Sequence, residues 1–261
     1  MAITLRSRRE IELMRQAGAV VANVLSQLQE VAEPGVTTAQ LDDLALKMTA
    51  DAGAEALFKG VRSSHARRPF PGAICASVND QVVHGIPSSQ TVLREGDILS
   101  VDFGVRLNGY CGDAATTVAI GSISPDKQKL LDVTKGALDI AIAMAKPGVR
   151  WSQVARKMQR HGESAGFSVV RDFVGHGIGT KMHEDPKVPN FVSRELLADD
   201  IVLTAGMVLA IEPMINAGSQ GVRTLGNGWT VVTKDGKCSA HFEHTIAIVA
   251  GGCEVLTVKQ V

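Results

Sequence analysis

Apolar positions recur along this chain with two periods, and the switches between them divide it into helices and strands. Over about 7–31, Ile11, Met14, Val21, Leu25 and Leu28 fall on one side of a helix. Glu33-Pro34-Gly35 breaks it, and Thr37 with Gln40 three residues on is a capping-box start for a second amphipathic helix ending near Gly53. The period then drops to two. Runs rich in β-branched residues flank Asn108-Gly109, a pair favoured in two-residue turns because both positions accept positive φ, and predict a hairpin across 96–120. The helical period returns over about 125–145 and, after Lys146-Pro147-Gly148, over about 151–165.

The second half repeats the first. Pro34-Gly35-Val36 returns as Pro147-Gly148-Val149, Gln40 as Gln153 and Gly53 as Gly166, each 113 residues on (34 to 147, 40 to 153, 53 to 166). Strand segments echo more loosely. Val83-His84-Gly85-Ile86 resembles Gly175-His176-Gly177-Ile178, the stretch 96–102 resembles 206–212, and the strand after Asp113 resembles the one after Glu243. These echoes, in one order, predict two similar halves, about 1–121 and 122–261, of a single α+β domain over 1–261. Their strands are expected to meet in one curved antiparallel sheet with helices on its outer face. Neither half is expected to fold alone, and no stretch reads as an interdomain linker.

The hairpin carries the first chemical clue. Ideal pairing about Asn108-Gly109 sets Asp102 opposite Ala115 and Asp113 opposite Gly104, so both carboxylates leave the same face as diagonal neighbours about 7–8 Å apart. Alone, this reads equally well as two solvated acids on an open face. On strands that otherwise read as core, two close anions are unfavourable unless a cation or a shared proton offsets them. The repeat adds His176 among glycines, Glu212 before a proline that suits a sheet rim, and Glu243 in an alternating strand expected to face the same way. Each has a plainer alternative, since a histidine between glycines is usually a turn or packing residue and Glu-Pro alone says little. Together, four carboxylates and one imidazole suit divalent manganese, iron, cobalt or zinc, and four anions offset two such ions. A water shared by two such ions is acidified enough to attack near neutral pH, so the donor set points to hydrolysis.

Bulk properties remove other classes. Lysine plus arginine and aspartate plus glutamate both count 27, so no global field selects nucleic acid or a membrane surface. Arg6, Arg8, Arg9 and Glu10 interrupt any secretory signal, and no apolar run is long enough to cross a bilayer. Cys75, Cys111, Cys238 and Cys253 lack metal-knuckle or disulfide-scaffold spacing, so a reduced cytoplasm is the expected home.

Val82-Val83-His84-Gly85-Ile86-Pro87, Val101-Asp102 with Gly112-Asp113, Gly175-His176-Gly177-Ile178-Gly179, His183-Glu184-Asp185-Pro186, Ala210-Ile211-Glu212-Pro213-Met214 and Glu243-His244-Thr245 together resemble the motif set of type I methionine aminopeptidases. Order and spacing match over about 73–257, and the helix pairs extend the likeness over nearly the whole chain. The resemblance implies the two-fold pita-bread fold and cytoplasmic removal of the initiator methionine from nascent polypeptides with a small second residue. Carried over position by position, it implies two divalent ions (cobalt, manganese, iron or zinc): Asp102 chelates one, His176 and Glu212 the other, and Asp113 and Glu243 bridge. It implies Glu212 as the proton acceptor for the attacking water, and His84 and His183 as hydrogen-bonding groups near the scissile amide, with His183 at the developing oxyanion. The implied methionine pocket, apolar to suit a thioether, contains Cys75, Phe70, Met182 and Trp229. His65, His161, His241 and His244 are read as structural or surface residues, His244 with the further reading of a support behind the metals.

The chain departs from the family in one segment. The commoner version runs Phe-Leu-Gly-Tyr-x-Gly-Phe-Pro, whereas 58–71 is six residues longer, lacks the tyrosine and carries Arg62, Arg67 and Arg68. Met182 also replaces a common aromatic. A short basic loop is ordinarily solvated, and contact with ribosomal RNA or an acidic peptide tail is the lesser reading. The chain reads as the short form, starting at the first helix without the zinc-binding extension of some relatives, and as a monomer with no membrane or specific nucleic-acid partner. Two alternatives remain at this stage: an Xaa-Pro metallopeptidase of the same fold, and a non-catalytic pita-bread module that binds peptide or RNA.

Overall fold

The computed structural model describes residues 3–259. In chain order the elements are α1 (Arg8–Val31), α2 (Thr38–Asp51), β1 (Glu55–Ala56), β2 (Cys75–Val78), β3 (Gln81–Val83), β4 (Ile98–Leu107), β5 (Tyr110–Ala119), α3 (Pro125–Met144) and α4 (Trp151–Ser164). There follow β6 (Ser168–Val169), β7 (Gly175–Gly177), β8 (Glu184–Val188), α5 (Arg194–Ala198), β9 (Val208–Ile211), β10 (Met214–Asn216), β11 (Val222–Thr224), β12 (Val231–Thr233), β13 (Ser239–His241), β14 (Glu243–Val249) and β15 (Gly252–Val255).

The helices start where their caps dictate. Ser7 with Glu10, and Thr37 with Gln40, form reciprocal capping boxes, and Ser124 caps α3 with Pro125 at its first turn. Helix α4 is α2 moved by 113 residues, but the offset puts Arg150 where Thr37 stands, and Arg150 makes no side-chain cap. The missing acceptor comes from Asp200, which takes the Ser152 N–H at 3.0 Å. The two helix-pair breaks are bonded alike. The Gly35 N–H donates to Leu93 O at 2.9 Å and the Gly148 N–H to Leu203 O at 2.8 Å, both glycines holding positive φ.

A nine-stranded antiparallel sheet runs β1-β4-β5-β14-β9-β7-β8, with β2 beside β4 and β15 beside β14. The halves join along β5 and β14. Leu99, Val101, Phe103 and Val105 of β4 pack against α1 and α2 in one core cluster, while Leu209, Ile211, Ile246 and Ile248 pack with α3 and α4 in another. Alternation then turns Ser100, Asp102 and Gly104 to the face without helices. Asn108 and Gly109 hold φ of 52° and 84° in the turn, as a two-residue hairpin requires.

One echo does not survive in space. His176 lies on β7 in the main sheet, opposite Ala210, but the His84 segment leaves through β3 into a separate three-stranded sheet with β12 and β11. The strand related to β7 by position is β2, which pairs β4. A shared His-Gly-Ile tripeptide fixes a local turn, not a place in a sheet.

Helix α1 crosses β5 at a backbone-to-backbone contact, since a Cβ on Gly112 would lie 2.7 Å from the Gly18 nitrogen. Gly112→Val is therefore expected to lower unfolding free energy by about 1–3 kcal/mol through overpacking. The check is a lower urea midpoint at unchanged slope. Gly226→Ala, with nothing within 4 Å of its new methyl, is the control and should leave the midpoint in place.

Candidate functional site

The strand register assembles the acids. Asp102 pairs with Ala115 and Ala115 with Glu243. His244 pairs with Ile211, so one step past the end of β9 sets Glu212 beside Glu243. One row along, Asp113 lies opposite Gly104, and His176 lies opposite Ala210. Residues two apart share a face, so all five side chains leave the uncovered face of the sheet. The positions between them are small. A Cβ on Gly104 would sit 3.0 Å from Asp113 Oδ1, so the glycine makes room for that carboxylate. Thr245 pins the junction, its Oγ1 donating to Asp113 O at 2.7 Å and accepting the Asp113 N–H at 3.2 Å.

Asp113, His176 and Glu243 each offer a ligand atom, and these lie within 4.8 Å of one another. His176 Nε2 is 3.6 Å from Glu212 Oε1 and 3.9 Å from Asp113 Oδ2. Its Nδ1–H donates to Gly177 O at 2.9 Å, which leaves the Nε2 lone pair facing the acids. Asp102 Oδ1, Asp113 Oδ1 and Glu243 Oε1 are buried without a hydrogen-bond partner. Three orphaned anionic acceptors in one place are costly, and a cation satisfies all three. Burial pushes the Asp102 carboxyl up to about 7, and burial with the neighbouring carboxylates holds Asp113, Glu212 and Glu243 well above the usual range. Burial, then the nearby His183 ring, depresses His176 and His84 to about 4, and burial lowers His183. Neutral imidazoles and acids that ionise fully only against positive charge are the donor set of a divalent metal site.

All eleven residues singled out in the sequence line one cavity of about 120 Å³. Phe70, Cys75, Met182 and Trp229 cluster there with Phe58, an apolar group beside the acids. His84 and His183 line both this cavity and the broader cleft outside it. The long segment is pinched at its base, where the Gly60 N–H donates to Phe70 O and the Phe70 N–H to Val61 O, both at 2.8 Å. The extra residues thus leave as an excursion with Arg62, Arg67 and Arg68 exposed, while Phe70 returns to the cavity. Trp229 Nε1–H donates to Arg68 O at 3.0 Å, and its ring meets Phe70 edge-on at 5.3 Å between centroids.

Four residues add to or correct the reading from sequence. Phe58 and Val61 line the cavity, and only their place beside the altered loop hinted at it. His241 lies beside the acids. It is buried with Nε2 unpartnered and 3.9 Å from Glu212 Oε2, and because it ends β13 in a different sheet from β14, no alternation along one strand announced the approach. His244 alternates to the helix-covered face, where Nδ1 meets Thr257 Oγ1 at 2.8 Å, so it does not stand behind the acids.

Residues 12–250 match metallopeptidase family M24. The chain is 49% identical to a methionine aminopeptidase of Clostridium acetobutylicum over 98% of this chain and 99% of that protein. It is 47% identical to methionine aminopeptidase 1 of Bacillus subtilis, with 98% and 99% covered. The crystal structure of methionine aminopeptidase from Thermotoga maritima superposes with a TM-score of 0.92 at 41% identity, covering 99% of this chain and 100% of that one. A prolidase from Pyrococcus horikoshii, at 20% identity and a TM-score of 0.76, covers 98% of this chain and 64% of its own, and shares the pita-bread fold alone.

The clustered acids set a sign for pH dependence. Their folded pKa values stand above the unfolded ones, so they favour the fold while protonated, and that contribution is lost as pH rises through about 7 for Asp102. The depressed histidines act oppositely, and their contribution disappears as pH falls below 6.5 toward about 4. Above pH 6.5 only the acids matter. In excess chelator the thermal midpoint should therefore fall between pH 6.5 and 8, and saturating manganese should remove or reverse that fall. A midpoint rising with pH in chelator contradicts this account of the cluster.

Proposed function

The chain belongs to metallopeptidase family M24, among its methionine aminopeptidases, and we propose how its residues divide the release of methionine from the amino termini of nascent polypeptides with a small second residue. It is a metallo-exopeptidase. In this reading Asp102, Asp113, His176, Glu212 and Glu243 would hold two divalent cations, four anionic donors against two double charges. Manganese, iron, cobalt or zinc suits the donors. Bound there, the cations polarise a carbonyl and acidify a water for attack near neutral pH.

Glu212 is assigned the proton from that water and its delivery toward the leaving amine. Its carboxylate lines the cavity with the other acids, 3.6 Å from His176 Nε2, which is where such a water would be held. His84 and His183 stay neutral near pH 7 and offer N–H groups to the scissile amide, His183 to the oxygen that gains charge. The apolar cluster of Phe58, Phe70, Cys75, Met182 and Trp229 receives the methionine side chain, since a thioether needs contact area and no hydrogen-bond partner. The observation that carries the reading is the presence of three unpartnered buried carboxylate oxygens and that apolar cluster in one cavity.

Among the described residues no helix is long and apolar enough to cross a membrane. The four cysteines are free thiols, the state a reducing compartment maintains, and we place the reaction in the cytoplasm, by a monomer acting on chains as they emerge.

After chelation, manganese or cobalt should be taken up at two equivalents, with restored release of methionine from Met-Ala-Ser and none of alanine from Ala-Pro-Ala. Asp113→Asn should lower kcat by far more than the roughly 10–100-fold typical of losing an outer support of a metal site, because an amide lacks the charge to serve two cations. His183→Ala should lower kcat with both equivalents still bound. Loss of both ions in His183→Ala would overturn the division between ligands and substrate-facing histidines.

A further inference from the structure

The segment before α1 reaches the turn that carries His183 through one buried cation. The Arg6 side chain is only 7% exposed, and its Nη2–H donates to Glu184 Oε2 across 178 residues of sequence. Nη1 lies 3.5 Å from Glu10 Oε1, and the Arg6 backbone N–H is anchored on Gly206 O at 2.7 Å. The guanidinium lies against Gly179 so closely that a Cβ there would fall 1.9 Å from Nη2. Glu184 uses its other oxygen locally, with Oε1 accepting the Lys181 N–H at 3.0 Å and the Thr180 hydroxyl at 3.4 Å. Those bonds close the turn that carries Met182 and His183 into the cavity. The His183 ring ends 4.3 Å from that of His176.

A buried ion pair is weak evidence for stability, because desolvating both charges offsets most of their attraction. What it supplies is geometry. A guanidinium fork grips a carboxylate in one orientation, and the grip passes to whatever the carboxylate's second oxygen holds. We propose that Arg6 is a positioning residue for the hydrolysis, fixing the turn at 180–184 through Glu184 so that His183 meets the scissile amide in a set orientation. Because the glycine at 179 leaves the turn without a side chain to wedge it, the clamp is what sets its depth in the cavity. The inference rests on the assignment of His183 to the substrate.

The test uses the full chain loaded with manganese, assayed on Met-Ala-Ser. Arg6→Met keeps much of the side-chain volume without the charge, and Glu184→Gln keeps an acceptor for the turn without the ion pair. Both are expected to lower kcat on the order of 10–100-fold, the cost of a small misplacement of a reacting group, at unchanged KM and two equivalents of manganese. Arg6→Met added to His183→Ala should cost nothing further, since both act through one imidazole. In 15N-histidine-labelled protein loaded with diamagnetic zinc in place of manganese, Arg6→Met should shift or broaden the His183 ring signals and leave those of His84 in place. If His183→Ala itself leaves kcat unchanged, the assignment of His183 fails and the clamp with it. If His183→Ala slows turnover but Arg6→Met does not, or if the two effects multiply, the clamp alone is overturned. A lower melting temperature with unmoved His183 signals likewise reduces Arg6 to a structural residue.

Discussion

Four carboxylates gathered in a protein interior are the constraint on which the rest of this molecule turns. Each would be costly to bury as an isolated anion, and together they raise one another's pKa values. Three of their oxygens find no donor. Such a cluster persists only if the sheet that carries it is stable for other reasons and a cation resolves the charge when it ionises. The two helix-packed cores supply the first condition, and the donor chemistry of a metallopeptidase supplies the second.

The sheet meets this demand through its two-fold construction. Each half contributes a β-hairpin-like pair whose outer face is covered by two helices, and the halves join at β5 and β14. The join brings Asp102 and Asp113 of one half against Glu212 and Glu243 of the other. Small residues at 104, 115 and 210 keep the crease open, and Thr245 fixes the spacing by bonding both backbone groups of Asp113. Asp102, Asp113 and Glu243 therefore ride on strands, with Glu212 one residue past β9, which limits their movement when charge is added or removed.

Around this rigid centre the parts assigned to the peptide are held differently. His84 has left the main sheet, His183 sits in a turn steered by Glu184 and Arg6, and Trp229 is tied to the 62–69 excursion through Arg68. The clustered acids and His176 are thus set by pairing register. The residues assigned to the peptide are set by side-chain hydrogen bonds from distant segments, the arrangement more easily altered without disturbing the core.

Much of this was legible in the residues themselves. The capping boxes, the Asn-Gly turn and the period-two runs determined the helix starts and the hairpin register, because these depend on neighbours within a few positions. The repeat at a constant offset determined the two-fold plan, and the convergence of Asp102 with Asp113 followed from alternation alone. What only the tertiary structure decided were relations with no local signature. These are the different sheets of His84 and His176 despite a shared tripeptide, the approach of His241 to Glu212, the turn of His244 to the opposite face, and the reach of Arg6 to Glu184. They join segments far apart in sequence, as Arg6 and Glu184 are across 178 residues, or depend on which sheet a segment enters and which face a strand buries. Their physical cause is packing of whole layers, which no short stretch of sequence encodes.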